Sequence, residues 1–300
     1  MSNEAPVRFG LVGTGYWASE THATGIDAAN GAELTAVWGR NPAAAKEIAD
    51  RYGATVHEDF DEFLSAVDAV SFSVPPDVQA PLVIRAAQAG KHMLMEKPIA
   101  LDDDAAGLVV EAVDTSGVAA LVFFTHLFSP PVVQWFDEVA DGSWIGGSAQ
   151  WLGSALVDEN PFNTPWRRQY GGLWDVGPHA VVDLLRTLGP VTDVVAESGG
   201  VDITHLILRH ESGATSTATL TISAPDAADG FTMMLWGASG RTNLPIEGVD
   251  SPVALTGAIE QLVSMIRNGE RNHAADVHTG RAVHQVLSSA QRQLDAKAAR

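Results

Sequence analysis

The chain has 300 residues, 46% of them hydrophobic, with 18 basic and 37 acidic residues and a formal net charge of −19. That length favours two domains over a single core, and the acidic balance argues against nucleic acid or anionic membranes as partners. The absence of cysteine excludes disulfides, thiolate nucleophiles, iron–sulfur clusters and thiolate zinc sites.

Met1 to Pro6 is polar, with neither a basic n-region nor an apolar h-region, and runs such as Val118–Phe124 are too short to cross a bilayer. The expectation is a cytoplasmic protein without a membrane segment. The apolar run Phe9 to Val12 then stops at Gly13, and Gly13-x-Gly15-x-x-Ala18 leads into a helix ending near Asn30–Gly31. Strand, tight turn and helix in that order suit a dinucleotide. Gly13 permits the turn, Gly15 lets backbone approach a pyrophosphate, and Ala18 lets the helix sit close on the strand. Gly13, Thr14, Gly15, Tyr16 and Trp17 are the candidate phosphate-binding residues. An ordinary strand–helix turn is the alternative.

Leu34–Trp38 reads as a second strand, and Asn41-Pro42 opens a helix. The tip of this strand is where the cofactor ribose is read: a carboxylate suits NAD, a basic residue the 2′-phosphate of NADP. Here the tip is Gly39-Arg40-Asn41, so Arg40 and Asn41 are candidate cofactor residues and NADP is favoured over NAD, unless Arg40 only decorates a surface loop. Val56 marks a third strand and Phe60–Ser65 a helix. Ala69–Val74 is a buried strand closed by Pro75-Pro76, followed by a helix over Asp77 to Gly90. His92–Met95 is the next strand, ending at Glu96-Lys97-Pro98. A helix over Asp102–Val113 and a sixth strand over Ala119–Phe124 complete the alternation, which means parallel βαβ units through about residue 123. Ligands of such sheets lie outside the carboxyl ends of the strands. Gly13, Gly39, Val74, Lys97 and His126 therefore share one edge, and Val74, Pro75, Glu96 and Lys97 join the cofactor candidates. Lys97, one of only four lysines, is either a catalytic or substrate-binding amine or a solvated lysine paired with Glu96.

From Pro130 the pattern changes. Val132–Val139 is helical and Gly146–Leu152 begins a strand. Trp166-Arg167 and Tyr170-Gly-Gly-Leu-Trp-Asp-Val-Gly-Pro-His179 lead into a helix with Pro178 at its start and Gly189-Pro190 at its end. His179 then lies in the first turn, where the helix dipole disfavours the imidazolium and leaves a ring able to accept a proton. Asp175 is close enough in sequence to orient that ring. A capping or core histidine is the plain alternative; a metal reading of Asp175, His179 and Asp183 lacks a fourth partner, and no metal is expected. Asp193–Ser198, Ile203–His210, Ala214–Ser223, Phe231–Trp236 and Arg241–Leu244 read as successive strands, hence a mainly antiparallel sheet. Thr215, Thr217, Thr219 and Thr221 share one face of the fourth strand in that sheet. Apolar stripes at Ile259, Leu262, Val263 and Ile266, and at Val283, Val286, Leu287 and Leu294, mark two packing helices.

Three features taken together, Gly13-x-Gly15-x-x-Ala18, Glu96-Lys97-Pro98 and Asp175-x-Gly177-x-His179-x-x-x-Asp183, give the chain a resemblance to the glucose–fructose oxidoreductase/inositol dehydrogenase (Gfo/Idh/MocA) family. The resemblance implies an α/β Rossmann domain over residues 1–123. It also implies an α+β domain over residues 124–300, built on an open, mainly antiparallel sheet that mediates a homodimer or homotetramer, with C-terminal helices able to pack back on the first domain. It implies a hydride transfer between NADP or NAD and a sugar, polyol or related small molecule, with Lys97, Asp175 and His179 catalytic and His126, Trp166 and Arg167 near the substrate. The chain departs from the family's pattern at Val74-Pro75-Pro76 with Gln79, at Thr125-His126-Leu127, at Gly39 and at the two-glycine Gly171-Gly172. Two other readings stay open: a non-catalytic dinucleotide sensor on the same scaffold, and a reductase of dihydrodiol-like substrates with Trp151, Trp166 and Trp174 lining an apolar pocket.

Overall fold

The apolar runs between turn signals become the strands of a parallel sheet. In a computed structural model describing residues 5–299, these are β1 (Val7–Val12), β2 (Ala32–Trp38), β3 (Thr55–His57), β4 (Ala69–Phe72), β5 (His92–Met95) and β6 (Ala120–Val122). Their order is β3-β2-β1-β4-β5-β6, every pairing parallel. This is the doubly wound arrangement, whose strand order reverses between β1 and β4. The intervening helices are α1 (Thr24–Ala28), α2 (Pro42–Tyr52), α3 (Phe60–Ser65), α4 (Pro76–Gln88), α5 (Asp103–Ser116) and the short α6 (Thr125–Phe128).

The helix starts are chemically marked. Asn41 accepts from Ala44 N at 3.2 Å, Asp59 from Asp61 N and Glu62 N at 2.8 and 2.9 Å, and Asp102 from Ala105 N at 2.7 Å. Each such cap contributes about 1 kcal/mol. Phe9, Leu11, Val12, Val70, Phe72, Met93 and Leu94 are fully buried at the centre of the sheet. Two strands are shorter than their apolar runs. β4 stops at Phe72, because Pro75-Pro76 already turns the chain into α4. β6 stops at Val122, although Phe123 and Phe124 stay buried beyond it. Burial outlasts strand geometry in both places. The helix after Gly15 also differs from a plain α-helix: a π-helical turn occupies Ala18–Ala23 before α1.

The second set of elements comprises α7 (Pro130–Val139), β7 (Trp144–Leu152), α8 (Pro165–Asp175), α9 (Gly177–Leu188), β8 (Val191–Ser198), β9 (Thr204–His210), β10 (Thr215–Thr221), β11 (Gly230–Gly237) and β12 (Gly240–Asn243). The sheet order is β12-β11-β7-β10-β9-β8. β7 and β10 are parallel, and the other pairings are antiparallel. On β10, Thr215 and Thr217 are exposed while Ser216, Ala218 and Leu220 are buried, as period-two alternation requires. Thr219 is half-buried and Thr221 is buried. α9 covers the buried face, with Leu184 and Leu188 close against Gly147 of β7. The chain ends in α10 (Ser251–Asn268) and α11 (Val277–Ala298).

The chain up to Ser129 together with Asp250–Arg281 forms one compact unit, and Pro130–Val249 with the chain from Ala282 forms the other. In the first unit α10 packs on α1, where a Cβ at Gly25 would stand 2.6 Å from Leu255 Cδ2, so the close approach requires glycine. No helix among the described residues is long and apolar enough to cross a membrane.

Candidate functional site

At the carboxyl edge of the parallel sheet, Gly13 has φ +124° and donates its N–H to Trp38 O at 2.9 Å. A Cβ there would stand 2.2 Å from the carbonyl oxygen of Ser73, so only glycine fits. Around Gly15 nothing lies within 4 Å of a Cβ position, which leaves the backbone open to a ligand. Ala18 is fully buried beneath the loop. One obliged glycine, one open glycine and a helix start behind them fit an anionic pyrophosphate. Thr14 and Trp17 are half-buried, and Tyr16 is exposed. The Thr14 methyl reaches the tip of β2, where a Cβ at Gly39 would meet it at 2.5 Å. Arg40 and Asn41 are exposed at that tip, Asn41 already serving as the cap of α2. Val74 and Pro75 lie half-buried at the start of α4.

Lys97 follows β5, half-buried, and the Lys97–Pro98 peptide is cis. The Glu96 carboxylate accepts from Trp17 Nε1 at 2.6 Å and from the Lys97 backbone N–H at 3.1 Å, and lies 3.1 Å from His22 Nε2. This binds the Lys97 loop directly to the glycine loop through Trp17. His22 is fully buried in the π-helical turn, with Nδ1 2.8 Å from Ser71 Oγ and its ring edge-on to Phe123. Sequence reading missed His22; its only signal was a polar residue on the inward face of an otherwise small-residue helix. Gln79, also missed as a site residue, is fully buried and bonded to the backbone around Lys97. His126 sits in α6, buried.

In the second unit, α8 brings Trp166, Arg167 and Asp175 to one place. Arg167 Nε donates to Asp175 Oδ2 at 2.8 Å, and its guanidinium lies 4.6 Å from the Trp166 ring centre and 5.3 Å from that of Phe162. Asp175 is thus the counter-ion of Arg167, a partner the sequence reading did not assign to it. His179 is 7% exposed and stacks on Trp151 at 5.2 Å, with Trp151 in turn 4.7 Å from Phe231. His179 occupies the first turn of α9 as expected, but the dipole argument weakens. Only Val176 separates α8 from α9, and Val176 N–H bonds Gly172 O, so the negative end of one helix meets the positive end of the other.

The glycine pair forms a kink inside α8. Gly171 has φ +63°, and Gly172 N–H donates to Asp202 Oδ1 at 2.7 Å. Trp174 belongs to the core rather than to a pocket: it is 3% exposed, bonds Gln291 Oε1 at 3.0 Å and packs on His284. Among the described residues, no three acidic or imidazole side chains are grouped to hold a metal ion.

Residues 7–124 match the family model GFO_IDH_MocA, described as the oxidoreductase family with an NAD-binding Rossmann fold. This stretch is similar to the Gfo/Idh/MocA oxidoreductases. The matched residues are the β1–β6 sheet and its helices, so the glycine loop described above is that of an NAD-binding family. Inositol 2-dehydrogenase of Rhizobium meliloti (strain 1021) is 36% identical over 137 residues, which is 45% of this chain and 41% of that relative. The chain therefore aligns with less than half of that relative's length. Likeness of fold extends much further. An oxidoreductase domain protein from Kribbella flavida superposes with a TM-score of 0.88 at 20% identity over 98% of both chains. GenD2 from gentamicin A biosynthesis, solved in complex with NAD, gives 0.84 at 20% identity over 99% of this chain and 96% of that one. This likeness of fold takes in both sheets.

Proposed function

We propose that this protein is an NAD(P)-dependent oxidoreductase that moves a hydride between its cofactor and a hydroxyl- or carbonyl-bearing carbon of a sugar, an inositol or a related polyol. The observation that carries the proposal is the 2.6 Å bond from Trp17 to Glu96, which fastens the Lys97 loop to the glycine loop. In this reading Gly13, Thr14, Gly15, Tyr16 and Trp17 hold the pyrophosphate. Arg40 and Asn41 meet the adenosine ribose, and Val74, Pro75 and Glu96 flank the nicotinamide half. The bound cofactor supplies the hydride-accepting ring carbon.

The chain's own groups handle the proton. Lys97 hydrogen-bonds the reacting oxygen and favours the negative charge that develops there. His179 takes the hydroxyl proton as the substrate is oxidised and returns it in reduction. Asp175, held by Arg167, completes the catalytic set with Lys97 and His179. His126, Trp166 and Arg167 are assigned to substrate binding. Arg40 and the absence of an acid over Gly39–Asn41 favour NADP over NAD. A cytoplasmic homodimer or homotetramer using the exposed threonine-bearing sheet face completes the proposal.

Purified protein offered sugars, inositols and aromatic diols with NADP or NAD, and read by reduced-cofactor absorbance, tests it directly. Turnover with a polyol is expected, falling about 100-fold or more in Lys97→Ala and His179→Ala while cofactor still binds. Near-normal turnover in both variants refutes the roles. Tighter NAD than NADP binding by calorimetry refutes the cofactor preference, and Arg40→Asp is expected to reverse it.

A further inference from the structure

β4 ends at Phe72, and its last pairing with β5 is Ser71 with Leu94. Glu96 therefore lies beyond the reach of β4, although its peptide groups remain inside the fold. Gln79, fully buried in the first turn of α4, fills the gap. Its Oε1 accepts from Glu96 N at 2.8 Å while its Nε2 donates to Glu96 O at 2.7 Å and to Pro98 O at 3.3 Å. A carboxamide carries the same acceptor and donor as a peptide unit. One side chain thus supplies the rung that a longer β4 would have given, and adds a contact on the far side of Lys97.

We propose that Gln79 is a positioning residue for Lys97: by gripping the chain on both sides of it, the amide fixes where the ammonium group stands at the sheet edge. This rests on the proposed role of Lys97. Three features distinguish it from ordinary core packing. The bonds bracket a single residue, they end on backbone rather than side chains, and both the oxygen and the NH2 group of the amide are used. Glycine loop, Trp17, Glu96 and Gln79 then form one chain of hydrogen bonds around the lysine.

Gln79→Met keeps length without donor or acceptor, and Gln79→Asn keeps the amide one methylene short. Acetic anhydride labelling of the four lysines, resolved by peptide mass spectrometry, reports Lys97 against exposed Lys46. In both variants the Lys97-to-Lys46 rate ratio is expected to rise several-fold. Turnover on the best polyol of the screen falls about tenfold or more while the cofactor dissociation constant stays near wild type. An unchanged labelling ratio in folded Gln79→Met overturns the inference. Should the variants not fold, hydrogen exchange on the wild-type chain decides: the Glu96 amide must be strongly protected, and fast exchange there overturns the clamp. Full turnover in Lys97→Ala removes the reading beneath the inference. Unchanged labelling beside an inactive Lys97→Ala removes the inference alone.

Discussion

Arg167 and Asp175 close an ion pair of 2.8 Å, with their side chains only 17% and 8% exposed. Two aromatic rings flank the guanidinium, so the pair is shielded from water and its partners depend on each other. Arg167→Ala removes a charged partner from a buried carboxylate and is expected to cost about 3 kcal/mol in a denaturant titration. Arg167→Lys keeps the charge but loses the planar stacking, and should fall between wild type and alanine. Equal midpoints for wild type and Arg167→Ala would show that the pair contributes nothing.

Asp202 closes the kink ahead of Asp175 and His179. It accepts from Gly172 N at 2.7 Å, Ile222 N at 2.8 Å, and the Thr221 and Ser223 hydroxyls at 3.3 Å each, from a backbone with φ +58°. Asp202→Ala loses every one of these bonds and pays for the left-handed backbone as well. A loss of about 2 kcal/mol or more is expected, with Asp202→Asn losing less because asparagine tolerates this conformation and keeps one acceptor oxygen. Identical stability of the alanine and asparagine variants would contradict this account.

The two glycines of the loop should separate experimentally. Gly13→Ala meets Ser73 O and a disallowed φ, and is expected to lower both melting temperature and cofactor affinity. Gly15→Ala meets no protein atom, so the free protein should melt as wild type while cofactor binding weakens by about tenfold or more. Calorimetry and thermal melts on the same two variants check both halves.

Two imidazoles set an acid limit on stability. Burial, helped by the Arg271 guanidinium, lowers the pKa of His92 below its ordinary 6.5. Burial lowers that of His210 as well, partly offset by its bond to Gly189 O. A histidine depressed in the folded state binds its proton first in the unfolded chain. Its stabilising effect is complete above 6.5 and is lost progressively as pH falls from there toward the lowered folded value. Denaturation midpoints should drop between pH 7 and pH 5 by about the amount linkage requires, and His210→Gln should flatten the drop. A parallel pH profile for wild type and variant would exclude His210 as a source.

Much of the first sheet was legible because its runs were bounded by unmistakable stops: Gly13, Asn41-Pro42 and Pro75-Pro76 each end or begin an element where chemistry says they should. The strand ends were less legible, since Val74, Phe123 and Phe124 are apolar for reasons of burial after the ladder has stopped. α8 was invisible because Gly171-Gly172 argues against a helix locally, and the carboxylate that holds the kink comes from thirty residues away. Gln79 and His22 escaped for the same reason. Each acts through partners distant in the chain, Glu96 and Ser71 among them, and no local spacing announces such bonds. Lys97 and His179 were legible as candidates from their places at a strand end and a helix start.

The return of residues 250–281 into the first unit has a consequence for biosynthesis. When a ribosome has delivered Ser129, all six strands of the nucleotide-binding sheet exist, yet the α1 surface around Gly25 still awaits Leu255. The early half of the protein must therefore wait, incompletely covered, while another hundred and more residues are made. A fragment cut at the chain's visual midpoint would inherit that bare surface, and its solubility should suffer until α10 is supplied.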